Sequence, residues 1–352
     1  MTPLAQILAR RIAANGPITL ATYMAECLLH PEHGYYATRD PFGQGGDFIT
    51  APEISQMFGE LLGLCLAQAW LDKGAPAAFT LAELGPGRGT LMADVLRATA
   101  RVPGFHAAAK VCLVEASPVL RGVQRATLAG YQITWLDQAE DLPDAPLFLL
   151  ANEFFDALPI RQFTREAAGW AETMIGLRNE ALVLGRSEAV AIAGLAHRLA
   201  ETKLGDVIEI CPAAPAIMMA ISARIATHGG AALIVDYGGW NGTGDTFQAL
   251  RAHQFVDPLT TPGEADLTAH VDFAALAHGT PAHSYVTQGA LLTALGIMPR
   301  AAQLGARLTG EALTRHEAAT RRLTAPEEMG NLFKALAVFP AGCPAPAGFA
   351  PC

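Results

Sequence analysis

Five short apolar runs constrain this chain more than any other feature of its 352 residues: FTLAELG (79–85), KVCLVEA (110–116), ITWLD (133–137), PLFLLANE (146–153) and AALIVDYG (231–238). They are short and lack polar alternation, which is how parallel strands buried on both faces read. Helical patterns fill the intervals at about 89–100 and 117–129, giving βαβ units with right-handed crossovers. The expected fold class is α/β, a Rossmann-like doubly wound sheet.

The rest of the chain is expected to dress that sheet. Residues 1–78 read as an N-terminal helical extension with a lid loop, 79–240 as the core, and 241–352 as a C-terminal extension that completes it. Inside the core, IRQFTRE, GWAETMIGL and EALVLG alternate like an antiparallel meander, with helical sequence around 188–200. They form an inserted α+β substrate-side region at about 160–206. Leu4, Ile7, Leu8 and Ile12 share one face of a short surface helix, and no apolar export-signal core follows it. Residues 20–29 read as a helix closed by Pro31. Gly45-Gly46-Asp47-Phe48-Ile49-Thr50 is expected to fold over a bound ligand. Thr50 and Glu53 have capping-box spacing, predicting a helix from there to about Trp70 with Met57, Leu61, Leu64 and Leu66 on its buried side. Late helices are expected near 271–278, 288–295 and 326–338.

A formal net charge of -9 argues against general attraction to nucleic acid, which depends on clustered Lys and Arg. Mean hydropathy is +0.26, yet no apolar run approaches the roughly 20 residues that span a bilayer. Six scattered cysteines without C-x-x-C spacing read as small core residues of a reducing compartment, the cytoplasm being the natural one. Ten histidines without H-x-x-x-H spacing give no reason to expect a metal.

The chemistry is expected at the strand ends. In Glu83-Leu84-Gly85-Pro86-Gly87-Arg88-Gly89-Thr90, the glycines let the backbone turn tightly against a ligand. The dinucleotide fingerprint G-x-G-x-x-G requires glycine where Thr90 stands, so the G-x-G-x-G spacing favours S-adenosylmethionine over NAD. That donor carries no pyrophosphate but has positive amino and sulfonium groups, which Glu83 suits. Glu115 ends the second strand, where an acid can accept both ribose hydroxyls; Asp137 ends the third, toward the adenine edge.

After the fourth strand, Asn152-Glu153-Phe154-Phe155-Asp156 offers two carboxylates and two aromatics for a cation. Methyl transfer from a sulfonium is an in-line displacement in which positioning can contribute about 7 to 11 kcal/mol. For a guanidinium acceptor, Glu153 and Asp156 are the candidate catalytic residues, able to fix it through charge-assisted hydrogen bonds. Asp236-Tyr237-Gly238 either lines the acceptor pocket or turns the chain.

In HPEHGYY, GDFITAPEISQMFGELLG, LAELGPGRGTLMADVLR, NEFFDALP, ALIVDYG, DLTAHVDF, QGALLTALGI and MGNLFKAL, taken in order, nearly the whole chain resembles the MidA-type methyltransferases. Mitochondrial members of that family are complex I assembly factors acting as protein arginine methyltransferases. The resemblance implies a class I methyltransferase core, with donor contacts at Gly85, Gly87 and Glu115; Gly89, Asp47 and Asn152 are further candidate donor-site residues. It also implies methylation of an arginine in a NuoD-like subunit of complex I, in a bacterial cytoplasm or, for an organellar homologue, the mitochondrial matrix. Mitochondrial relatives read His where this chain has Asn152. Because a fold does not choose its substrate, methylation of a small molecule or another side chain stays open, as does a cofactor-binding assembly chaperone without catalysis. Composition leaves oligomeric state open.

Overall fold

The computed structural model describes residues 1–38 and 50–349. The chain divides into two compact units, one built from Met1–Phe48, Asp156–Ala214 and Gly239–Ala275, the other from Ile49–Phe155, Pro215–Gly238 and Leu276–Cys352.

The second unit carries the sheet. Its strands are β1 (Phe79–Leu84), β2 (Ala109–Val114), β3 (Ile133–Leu136), β4 (Leu147–Asn152), β5 (Gly230–Gly239), β6 (Ala282–Thr287) and β7 (Phe333–Phe339). They lie in the order β6-β7-β5-β4-β1-β2-β3. All five runs singled out in the sequence are strands, paired in parallel. Leu84 stands opposite Val114 and Ala151, and Val114 opposite Leu136, so four strand ends come level at one edge. Every residue of β1 and β4 is buried, which is why those runs show no alternation. Around the sheet run α1 (Gln56–Asp72), α2 (Thr90–Thr99), α3 (Pro118–Thr127), α4 (Ala214–His228), α5 (Gln288–Ala294), α6 (Ile297–Gly305) and α7 (Gly310–Thr324).

Two expectations fail here. No single helix runs from Thr50 to Trp70. A short turn, Ala51–Ile54, stops at Ser55, whose extended backbone (φ -158°) starts α1 and whose hydroxyl accepts from Met57 N–H at 3.3 Å. Thr50 makes no cap bond, and Glu53 instead accepts from Thr90 Oγ1 at 2.5 Å, a tertiary bond displacing the local capping box. On α1, Met57, Leu61 and Leu66 are buried as expected, whereas Leu64 is exposed. The second failure is residues 326–338. Met329, Leu332, Phe333 and Leu336 have helical spacing, but only Pro326–Gly330 coils, and Phe333–Phe339 becomes β7, antiparallel to both β5 and β6. Pairing on both edges outweighs a local period.

Glu60 ties three helices together. It is buried, and its carboxylate accepts from Arg300 Nε (2.8 Å) and Nη2 (3.0 Å) on α6, Arg97 Nη1 (2.6 Å) on α2 and Gln56 Nε2 (3.0 Å) within α1. Burial works to raise its pKa, but the hydrogen bonds from Arg300 and Arg97 outweigh it and hold the carboxyl below its ordinary value. This stabilisation is therefore present above the unfolded-state pKa of about 4.3 and is lost as pH falls through it toward the folded value. Glu60→Gln should cost about 2 kcal/mol at pH 7. In thermal denaturation, the gap to wild type should shrink below about pH 4.3; a gap independent of pH would contradict the assignment.

In the first unit, Thr2 caps the helix Pro3–Asn15 by accepting from Ala5 N–H at 3.1 Å, and Leu4, Leu8 and Ile12 are buried. The meander is present: Arg161–Glu166, Gly169–Arg178 and Ala181–Arg186 pair antiparallel in succession, with Val207–Ile210 beyond. The helical stretch expected near 188–200 is a 3-10 helix, Ala193–Ala200. A second small sheet joins Gln248–Arg251 to Gln254–Val256 and Asp266–Thr268.

Candidate functional site

The level strand ends of the second unit lead first into the glycine turn. Gly85, Gly87 and Gly89 have φ of +59°, +53° and +83°, a left-handed backbone that side chains disfavour. A Cβ on Gly85 would also lie 2.8 Å from Phe154 Cδ2, so that position requires glycine twice over. Gly89 starts α2. Glu83, just before the turn, is buried, and its Oε2 makes no hydrogen bond among the described residues. Burial pushes its carboxyl up to about 8, a bond from the Met92 backbone opposes this, and the charge of Glu115 adds to it.

At the end of β2, Glu115 is gripped on both oxygens: Ser117 N–H donates to Oε1 at 2.8 Å and Gln124 Nε2 to Oε2 at 3.1 Å. Burial raises its pKa, opposed by Ser117, Gln124 and Arg121. Gln124 is fully buried on α3; Nε2 also donates to the Gly87 carbonyl at 2.8 Å, and Oε1 accepts from Trp135 Nε1 at 2.8 Å. Arg121, one turn earlier, donates to the carbonyls of Glu115 (2.7 Å) and Leu136 (2.9 Å) and to Asp137 Oδ1 (2.6 Å). Asp137, 84% exposed at its side chain, thus sits at the rim in an ion pair of little energetic weight. Gln124 was missed in the sequence. Its signal was a polar residue at the centre of the buried period Leu120, Gln124, Leu128.

Asn152 ends β4. It is buried, Nδ2 donates to Glu153 Oε1 at 2.9 Å, and Oδ1 makes no hydrogen bond among the described residues. Glu153 has φ +50°, a conformation costing a non-glycine residue about 1 to 3 kcal/mol. Its backbone N–H donates to the Val235 carbonyl at 2.9 Å, and Oε1 also accepts from Ala51 N–H at 3.1 Å. The corner is held by Asp236, fully buried, whose Oδ2 accepts from the N–H groups of Phe154 (3.2 Å) and Phe155 (3.0 Å) and Oδ1 from Tyr237 N–H (2.9 Å). Asp236 does not turn its own chain, since Asp236-Tyr237-Gly238 lies inside β5; its bonds instead hold the Phe154–Phe155 corner that follows β4.

The structure thus brings Glu83, Gly85, Gly87, Gly89, Glu115, Asn152 and Glu153 to one edge of one unit, with Asp137 at the rim. Asp156 belongs to the first unit, where it is buried; its carbonyl accepts from Ala269 N–H at 3.0 Å. In that unit Tyr36 donates to Asp266 Oδ1 at 2.8 Å, and burial, with Asp266 and Asp156 adding to it, holds the phenol well above its ordinary pKa. Asp47 and all of the lid expected at 45–50 except Thr50 lie outside the described residues.

Two buried acceptor oxygens without donors, Glu83 Oε2 and Asn152 Oδ1, beside a turn with three glycines suit a ligand presenting a cationic N–H group. The profile of a family of S-adenosyl-L-methionine-dependent methyltransferases matches residues 61–291. The chain belongs to this family. The donor of this methyltransferase is therefore S-adenosylmethionine, as the glycine spacing led us to expect. Among its relatives, the mitochondrial protein arginine methyltransferase NDUFAF7 of Homo sapiens is 40% identical over 305 residues, 78% of this chain and 68% of the relative. The Drosophila melanogaster homologue is 36% identical, covering 96% and 85%. A crystal structure from Burkholderia thailandensis, bound to S-adenosyl-homocysteine, superposes on the methyltransferase with TM-score 0.82 at 30% identity, covering 99% of this chain and 92% of that one. The Rossmann-like fold is thus the expected one. No helix among the described residues is long and apolar enough to cross a membrane.

Proposed function

We propose that this methyltransferase methylates an arginine of a protein, a NuoD-like subunit of complex I, and so supports complex I assembly. The relatives' name, protein arginine methyltransferase, supports the acceptor class. The observation that carries the reading is the Glu153 carboxylate, fixed by Ala51 and Asn152 at the end of β4 beside the donor turn.

When bound, the donor supplies an electrophilic methyl carbon on a sulfonium sulfur. Glu83 and Asn152 would receive its amino N–H groups on Oε2 and Oδ1, which have no hydrogen-bond partner among the described residues. Glu115 would accept the ribose hydroxyls, Asp137 would serve the adenine edge, and the glycines would leave room for the donor. Glu153 accepts an N–H of the incoming guanidinium, which orients the group and draws proton density from it, leaving one nitrogen's lone pair more available. Asp156, three residues further along the chain, is the second carboxylate we assign to arginine recognition. We place the protein in a reducing compartment, the bacterial cytoplasm or the matrix for an organellar homologue; Cys27, Cys65 and Cys112 are buried free thiols in support.

The test is transfer of labelled methyl from S-adenosylmethionine in an extract of a deletion strain. Label on an arginine of one protein supports the proposal, and label in a small-molecule fraction overturns it. Glu83 adds a pH signature. A cationic amine binds its carboxylate form, so binding expels a proton wherever the free carboxyl, at about 8, is protonated. Donor affinity should rise between pH 6 and 8, by at most about tenfold per unit, and Glu83→Gln should flatten the rise in calorimetric titration. A flat wild-type profile would remove Glu83 from the donor's amine.

A further inference from the structure

We propose that Gln124 is a positioning residue for the donor's ribose. It locks Glu115 and the glycine turn in one register, so that the carboxylate meets the vicinal hydroxyls correctly. The inference rests on reading Glu115 as the ribose acid. Gln124 itself is assigned no contact with donor or acceptor.

A fully buried amide is costly unless its groups are paired, and a leucine would fill the same face of α3 without that demand. Gln124 meets the demand with partners on three separate elements. Its two N–H bonds go to the Gly87 carbonyl (2.8 Å) and Glu115 Oε2 (3.1 Å), and its carbonyl oxygen takes the Trp135 indole N–H (2.8 Å) from β3. These three elements are the turn after β1, the end of β2 and the strand beside it.

The consequence for Glu115 is geometric. Each carboxylate oxygen has two acceptor directions. Ser117 N–H binds Oε1 and Gln124 binds Oε2, so the carboxylate is held from both ends and cannot rotate; the Ala116 backbone adds a further bond. A planar carboxylate fixed in one orientation presents its two oxygens to two hydroxyls on adjacent ring carbons. The Gly87 bond acts on the glycine turn itself. Because the peptide is planar and trans, a Gly87 carbonyl turned toward α3 directs the following N–H away from α3.

The test compares binding of S-adenosylhomocysteine with that of its 2′-deoxyribose analogue, by calorimetry, in wild type, Gln124→Met and Trp135→Phe. Wild type should prefer the hydroxylated ligand by about 10- to 100-fold, the usual range for a hydrogen bond to a charged group. Gln124→Met keeps volume and loses all three bonds; it should bind S-adenosylhomocysteine about tenfold more weakly and discriminate less than about threefold, because an unanchored carboxylate gains little from one particular hydroxyl. Trp135→Phe removes only the indole donor and should lose part of the discrimination, which carries the test if Gln124→Met does not fold. A general packing defect would weaken both ligands alike and keep their ratio, so a variant that retains the wild-type ratio overturns the role of Gln124. Absence of discrimination in wild type instead removes Glu115 from the ribose, and this proposal with it.

Discussion

Glu153→Gln is expected to lower kcat by about 10²- to 10³-fold, the range for losing a positioned carboxylate, while donor affinity stays near wild type. The substitution is nearly isosteric, and the amide oxygen can still accept from Ala51 N–H and Asn152 Nδ2, so the corner keeps its geometry. What disappears is the negative charge facing the guanidinium, and an amide N–H turned toward a cation opposes its approach. Single-turnover transfer with labelled donor, alongside calorimetry for donor binding, separates the two quantities. Unchanged turnover would sink the role proposed for Glu153. A collapse of donor binding would move it from acceptor to donor.

Gly85→Val should weaken S-adenosylmethionine binding by at least about 10²-fold, the cost of about 3 kcal/mol or more in misplaced turn and lost contacts. A β-branched residue at φ +59° is strained, and its Cβ would need space 2.8 Å from the Phe154 ring, pressing the glycine turn and the Glu153 corner apart. Gly130→Val is the matched control: φ is +97°, and an added Cβ there meets nothing within 4 Å. It should lose stability through backbone strain yet bind the donor normally. If Gly85→Val and Gly130→Val bind alike, the turn is not where the donor sits.

The two variants probe parts of the site that differed in how visible they were. Gly85, Gly87 and Gly89 were legible because a left-handed turn after a buried strand is a local demand that glycine spacing records directly. Glu115 was legible by its place at the next strand end. Glu153 was visible as a carboxylate, but its left-handed backbone and the Asp236 clamp behind it were not, since Asp236 reaches Phe154 across 82 positions of chain. Glu53 was misassigned for a similar reason: local spacing suggested a reach back to Thr50, and Thr90, brought close only by folding, claims it. Gln124 looked like one more polar residue on an amphipathic helix until its partners assembled around it.

From residue order alone came the parallel strands of the sheet, the meander and the glycine turn, because burial on both faces, alternation and tight turns each write a period or spacing into a short stretch. Tertiary structure decided that 333–339 is a strand, that Leu64 faces outward, and which distant side chains hold Glu115 and Glu153. Those outcomes depend on hydrogen bonds and sheet edges shared between segments far apart in the chain, and no local period encodes which partner arrives.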